Sequence, residues 1–127
     1  MHELAICQAL IAQVETIARS RGARVRKVHV GIGPLSGVEP KLLLDAYPLA
    51  CAGTAASGSD LAIEESAVRV RCRACHAETE ALPNRLLCGR CGNWQTDVIA
   101  GDEMLLLRVE LEPYAAMAKE AAGEAHV

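Results

Sequence analysis

The chain has 127 residues, 51% of them hydrophobic, a formal charge of −3 and six cysteines, with no Phe, one Trp and two Tyr. That length fits one modest domain carrying a small insert, and the core has to be aliphatic. The negative balance argues against a general attraction to nucleic acid or anionic membrane, both of which need a basic footprint.

Along the chain, Leu4, Cys7, Leu10, Ile11, Val14, Ile17 and Ala18 recur at the three-and-four spacing of one helix face, with Gly22 placed to end the helix. Residues 24–32 then read as a half-buried strand, with Val28, Val30 and Ile32 on its core face and His29 solvated on the charged face. After a Gly-Pro loop at 33–37, Pro40 opens a second helix through Leu42, Leu43, Ala46, Tyr47 and Leu49, which Pro48 is expected to kink or end early. Residues 53–58 are a loop. A strand is predicted from Leu61 onward through Val68 and Val70 to the first cysteine pair, and a last strand over 104–111, with Val109 and Leu111 inward, returns to the first sheet. The expected class is α+β: a small three-stranded sheet packed with two helices, plus an inserted zinc-ribbon domain with four cysteine ligands. Its expected boundaries are 1–67, 68–99 for the insert, 100–112 for the returning strand, and an alanine-rich tail at 113–127 that reads as frayed helix or disorder.

Cys72-Arg73-Ala74-Cys75 and Cys88-Gly89-Arg90-Cys91 are two CxxC pairs twelve residues apart. Four thiolates at this spacing can close around one ion, and zinc is favoured because it accepts four sulfurs without redox chemistry. Such a site leaves no position for water or substrate, so its role is structural. Rubredoxin-like iron is disfavoured by the scarcity of aromatic packing residues. The run from Cys72 to His76 also matches the haem motif CxxCH, but that chemistry needs export, and Cys88 and Cys91 would be left without a role. Arg69, Arg71, Arg73, Arg85 and Arg90 make the module locally basic, so the competing reading is a zinc-ribbon nucleic-acid-binding or transcription accessory module. Cys7 and Cys51 fit small buried thiols.

A histidine at position 2 can chelate through its imidazole, its own amide nitrogen and the free α-amine of Met1. Those nitrogens suit square-planar Ni(II) or Cu(II), and Glu3 can supply a fourth ligand. The plainer alternative is a helix start at which Glu3 complements the dipole.

Met1-His2-Glu3-Leu4, the stretch from Val30 to Glu39, the paired CxxC motifs and Gly101-Asp102-Glu103-Met104, in this order, resemble the HypA/HybF family of hydrogenase nickel-incorporation proteins. The resemblance implies a nickel metallochaperone without catalysis. It implies Ni(II) carried transiently by His2 with Met1 and Glu3, Glu39 as an outer-shell residue near the nickel, and structural Zn(II) on Cys72, Cys75, Cys88 and Cys91. The implied partners are a HypB-type GTPase maturation factor and the [NiFe] hydrogenase large-subunit precursor, with urease maturation factors as a second partner class, and neither nucleic acid nor membrane. No uninterrupted apolar run approaches the ~18 residues of a membrane helix and the start carries no secretory leader, so the expected location is cytoplasmic.

Overall fold

The computed structural model describes residues 2–114. In chain order the elements are α1 (His2–Ser20), β1 (Ala23–Ile32), α2 (Pro40–Cys51), β2 (Asp60–Glu65), β3 (Val68–Cys72), β4 (Glu78–Ala81), β5 (Thr96–Ala100) and β6 (Met104–Pro113). The strands form two sheets of three, in the orders β2-β1-β6 and β4-β3-β5. By internal contacts the chain divides into one unit of residues 1–29, 41–62 and 106–127, and a second of 30–40 and 63–105. Among the described residues, no helix is long and apolar enough to cross a membrane.

In the first unit, α1 buries Glu3, Cys7, Leu10, Ile11, Val14 and Ala18, the face that the sequence periodicity selects. Gly22, at φ 58, takes the left-handed turn that ends the helix, and its N–H donates to the Arg19 carbonyl at 3.2 Å. α2 buries Leu43, Tyr47 and Cys51 at four-residue spacing. The Cys7 thiol donates to the Leu43 carbonyl at 3.5 Å, tying the two helices together. Burial, with Cys51 and Glu3 nearby, pushes the Cys7 thiol up to about 11, and burial also raises Cys51, so both behave as inert core thiols.

Three expectations need correction. Pro48 does not end α2, which runs on to Cys51. Lying within the final turn, Pro48 deprives only one late carbonyl of its donor. The strand expected to run unbroken from Leu61 through Val70 is two strands in different sheets, separated at Ser66-Ala67, where the Ser66 N–H turns to the Ile32 carbonyl at 3.1 Å. His29 is buried rather than solvated, at 7% exposure. Its Nε2 is hydrogen-bonded to the Glu110 carboxylate, and the Arg108 guanidinium lies 3.3 Å from the ring. His29, joined by Arg26 and Arg108, holds the Glu110 carboxyl below the usual carboxylate range. Of the tail, Pro113 closes β6 and the Tyr114 N–H donates to the Gly22 carbonyl at 3.1 Å; residues 115–127 lie outside the described residues.

In the second unit, β3 is the middle strand, antiparallel to both β4 and β5, with Val70 opposite Thr79 and Val98. Two glycines set the entry and exit of this piece. A Cβ on Gly33 would lie 2.2 Å from the Gly101 carbonyl carbon, and one on Gly101 would lie 2.7 Å from the Val68 Cα. Backbone meets backbone here, with the Gly33 N–H on the Glu103 carbonyl at 3.0 Å and the Leu35 N–H on the Gly101 carbonyl at 2.9 Å. Gly33→Ala is therefore expected to cost about 3 kcal/mol through forced backbone displacement, read as a lowered urea midpoint. An unchanged midpoint would contradict this packing.

Candidate metal centres

Each CxxC pair is a tight turn built on one pattern of backbone bonds. In the first, the Cys72 sulfur accepts from the N–H groups of Ala74 at 3.3 Å and Cys75 at 3.4 Å; in the second, the Cys88 sulfur accepts from Arg90 and Cys91, both at 3.4 Å. The repetition continues in the backbone. His76 N–H donates to the Cys72 carbonyl at 3.0 Å as Gly92 N–H does to Cys88 at 2.9 Å, and the N–H groups of Cys72 and Cys88 donate to Ala77 and Asn93, each at 2.9 Å. Thr79 Oγ1 steadies the second turn by accepting the Gly89 N–H at 2.8 Å.

The turns bring the four sulfurs within 4.8 Å of one another, with Cys72–Cys91 and Cys75–Cys88 at 3.6 Å. Four sulfurs about 2.3 Å from one zinc ion define a tetrahedron with edges of about 3.8 Å, so these spacings fit the ion. They are too long for a disulfide, which needs about 2.05 Å. The charge pattern points the same way. The N–H groups of Cys75 and Ala74 hold the Cys72 thiol below its usual range, and those of Cys91 and Arg90 pull Cys88 down to about 6. At Cys91 the Asn93 N–H lowers the value, but Cys72, burial and the other two thiols prevail and push it up to about 12. Four sulfurs this close can all ionise only with a cation among them. The aromatic side chain nearest in sequence, Trp94, is 75% exposed and offers no packing shell of the kind an iron centre would favour.

His76 explains the apparent haem motif. It is exposed and sits at φ 63, the left-handed position that Gly92 fills at φ 75 in the second turn. His76→Gly should therefore stabilise the zinc-loaded fold by about 1 kcal/mol, read from the urea midpoint; a lowered midpoint would give the imidazole a bonding role.

At the other candidate site, α1 begins at His2, whose side chain is 69% exposed, with Nδ1 3.7 Å from Glu3 Oε2. Glu3 turns inward and is only 8% exposed. Met1 lies outside the described residues. Glu39 is exposed, immediately before Pro40 at the start of α2, and is assigned to the second unit, whereas His2 and Glu3 are in the first.

A protein-family model described as "Hydrogenase/urease nickel incorporation, metallochaperone, hypA" matches residues 1–111. The chain is 52% identical over 112 residues to the hydrogenase maturation factor HypA of Nitrosospira multiformis, covering 87% of this chain and 97% of that protein. The chain belongs to the HypA family. It is also 40% identical over 115 residues to the HypA of Streptomyces avermitilis, covering 88% of each. Two solution structures share the fold. One, of a HypA protein, superposes with a TM-score of 0.70 at 26% identity over 88% of this chain and 97% of the other; that of the nickel metallochaperone HypA from Helicobacter pylori gives 0.67 at 24% over 87% and 97%.

As a HypA-family chain, the protein is a nickel-incorporation metallochaperone of hydrogenase maturation, with a four-cysteine site that fits structural zinc. The nucleic-acid reading is not favoured. Arg71 is bound to Glu78 at 2.8 Å and Arg73 to Asp97 at 2.6 Å, so two of the five arginines counted as a basic patch are neutralised by neighbours. Sequence reasoning missed β4 and β5, short strands whose charged residues mask the alternation, and the paired role of Gly33 and Gly101. Their signal lay in the two glycine-containing motifs that carry the family resemblance.

Proposed function

We propose that this HypA-family chain takes up Ni(II) at the start of α1 and releases it to the [NiFe] hydrogenase large-subunit precursor with the help of a HypB-type GTPase. Urease maturation factors form a second partner class. The supporting observation is local: α1 starts at His2 with its imidazole exposed, and the N–H groups of the first turn have no intrahelical acceptor. The amide nitrogens of this turn are therefore available as donors, and the positive end of the helix dipole favours the negative charge of a deprotonated amide. With the α-amine of Met1, the amide nitrogen and Nδ1 of His2 make three nitrogens in one plane, and Glu3 provides the fourth ligand. Glu39 acts from the outer shell.

In the same reading Cys72, Cys75, Cys88 and Cys91 are the zinc ligands of a domain spanning 68–99, while 1–67 and the returning strand 100–112 form the nickel-binding domain. The closed thiolate site retains its metal, whereas an exposed site with few rigid ligands exchanges cargo by stepwise ligand replacement. Such a protein works in the cytoplasm and carries out no catalysis of its own.

The test is nickel transfer. Nickel-loaded chain mixed with the large-subunit precursor and the GTPase should leave nickel on the precursor, and His2→Ala should abolish the transfer while keeping zinc. Equal transfer by the variant would overturn the assignment.

A further inference from the structure

Trp94, the only tryptophan of the chain, is 75% exposed, yet the loop that carries it is held on both sides. The Asn93 carbonyl accepts the Cys88 N–H at 2.9 Å, Asn93 Oδ1 accepts the Gln95 N–H at 2.7 Å, and the Gln95 carbonyl accepts the Arg73 N–H at 2.8 Å. A tryptophan has only two side-chain torsions to fix, so on a held backbone a partner covers it at small entropic cost. Two arginines adjoin this loop. Arg90 lies in the turn that Asn93 closes, and Arg85 precedes Leu86, whose carbonyl accepts the Thr96 hydroxyl at 2.8 Å. Leu82, 63% exposed, bridges to Arg85. All of these residues belong to the second unit. Tryptophan and arginine are the residues that most often carry the energy of a protein interface.

Charge indicates what covers this surface. Residues 81–96 contain no Asp or Glu, in a chain whose net charge is −3. Glu80 and Asp97 flank the stretch, and Asp97 is already bound to Arg73 at 2.6 Å. Arg85 and Arg90 are exposed, and among the described residues neither guanidinium has an ion-pair or hydrogen-bond partner. A carboxylate matches such a fork with two hydrogen bonds, and an apolar side chain matches the ring face of Trp94. A single aromatic supplies no series of stacking platforms for a nucleic-acid strand. Stepwise ligand replacement at a small exposed metal site requires the recipient to stay close between steps, and this surface shares no residue with the nickel ligands. We propose that Leu82, Arg85, Arg90 and Trp94 anchor an acidic segment, bearing an apolar side chain among its carboxylates, of the [NiFe] hydrogenase large-subunit precursor; the inference rests on the delivery reading above. Held there, the precursor meets the nickel at a raised effective concentration, and exchange at His2 proceeds within one complex.

The surface can be watched directly on the full-length, zinc-loaded protein. Because Trp94 is the only tryptophan, 5-fluorotryptophan labelling gives one fluorine resonance, which reads this surface and nothing else. Unlabelled precursor should shift or broaden that resonance, and the effect should weaken as salt rises from about 0.05 M to about 0.5 M. The GTPase alone, or a mixed-sequence single-stranded oligonucleotide, should leave it unchanged. The double variant Arg85→Glu with Arg90→Glu, with zinc content and circular dichroism as fold checks, should bind precursor at least tenfold more weakly. It should still take up one nickel per chain, transfer it more slowly from dilute mixtures, and recover the parent rate when precursor is raised. Nickel transfer by the parent with no change at Trp94 overturns the docking surface and leaves the delivery reading standing, whereas a parent that transfers no nickel overturns both. A resonance moved by the GTPase or the oligonucleotide but not by precursor also overturns the proposal, as does a folded double variant that binds precursor as tightly as the parent.

Discussion

Cys88→Ser will release zinc and unfold the segment from β3 to β5. In that stretch the buried apolar side chains are Val68, Val70, Cys72 and Cys88, and two of these are the zinc-site cysteines themselves. Burying a valine contributes roughly 1.5–3 kcal/mol, whereas ordering each residue's backbone costs about 1–2 kcal/mol. The hydrogen bonds and two valines of this sheet cannot offset that cost over about thirty residues. A structural zinc ion, whose binding is worth roughly 10–16 kcal/mol, can make up the difference. Zinc content should fall from one ion per chain to none. Amide protection in the β3–β4 and β3–β5 ladders, around Val70 and Arg71, should be lost. Protection that persists in the zinc-free variant would show that the segment folds without its metal.

Extending the chain by residues placed ahead of Met1 will weaken nickel binding roughly 100-fold or more, although His2 and Glu3 are both retained. The extension moves the α-amine away and puts an ordinary amide in its place, removing one of the three nitrogens that share a plane in the proposed chelate. An imidazole alone, 69% exposed on a helix end, would be an ordinary weak surface ligand. Acetylating the α-amine should have the same effect, since it ties the lone pair into an amide while adding little bulk. Zinc should be unaffected in both cases, because its four sulfurs come from residues 72–91. Competition with a nickel indicator reads the affinity, and equal affinities for the extended, acetylated and parent chains would remove the amine from the site.

Much of the fold was legible where a single physical rule dominates. The three-and-four spacing from Leu4 to Ala18 locates α1 because burial of one face outweighs every other preference there, and Gly22 ends it because the turn needs a positive φ. The four cysteines could be grouped because ligand chemistry ties them together whatever lies between. Legibility failed where the decisive partner is distant in the chain. His29 looks solvated beside Lys27 and Arg26, and only Glu110, eighty-one residues on, makes its burial tolerable. The break at Ser66-Ala67 shifts the apolar alternation from the odd positions Leu61 and Ile63 to the even positions Val68 and Val70, but what holds the chain there, the crossing of Gly33 and Gly101 against Ala67 and Val68, comes from the ends of other segments. Pro48 marks a helix end correctly in kind but not in place, because α2 has one turn left to run. At the candidate site, the cysteine turns could be foreseen, but the equivalence of His76 and Gly92 could not, since it lies in backbone angle rather than residue type.

In the proposed function, one exchangeable nickel ion is held at the start of α1 and one permanent zinc ion by the four cysteines. Calorimetric titration of Ni(II) into tag-free, zinc-loaded protein and into its His2→Ala variant, with zinc measured before and after, tests it most directly. The expected result is one nickel per chain for the parent and none for the variant, with zinc unchanged in both. Equal nickel binding by the two proteins, or nickel uptake that displaces zinc, would contradict it.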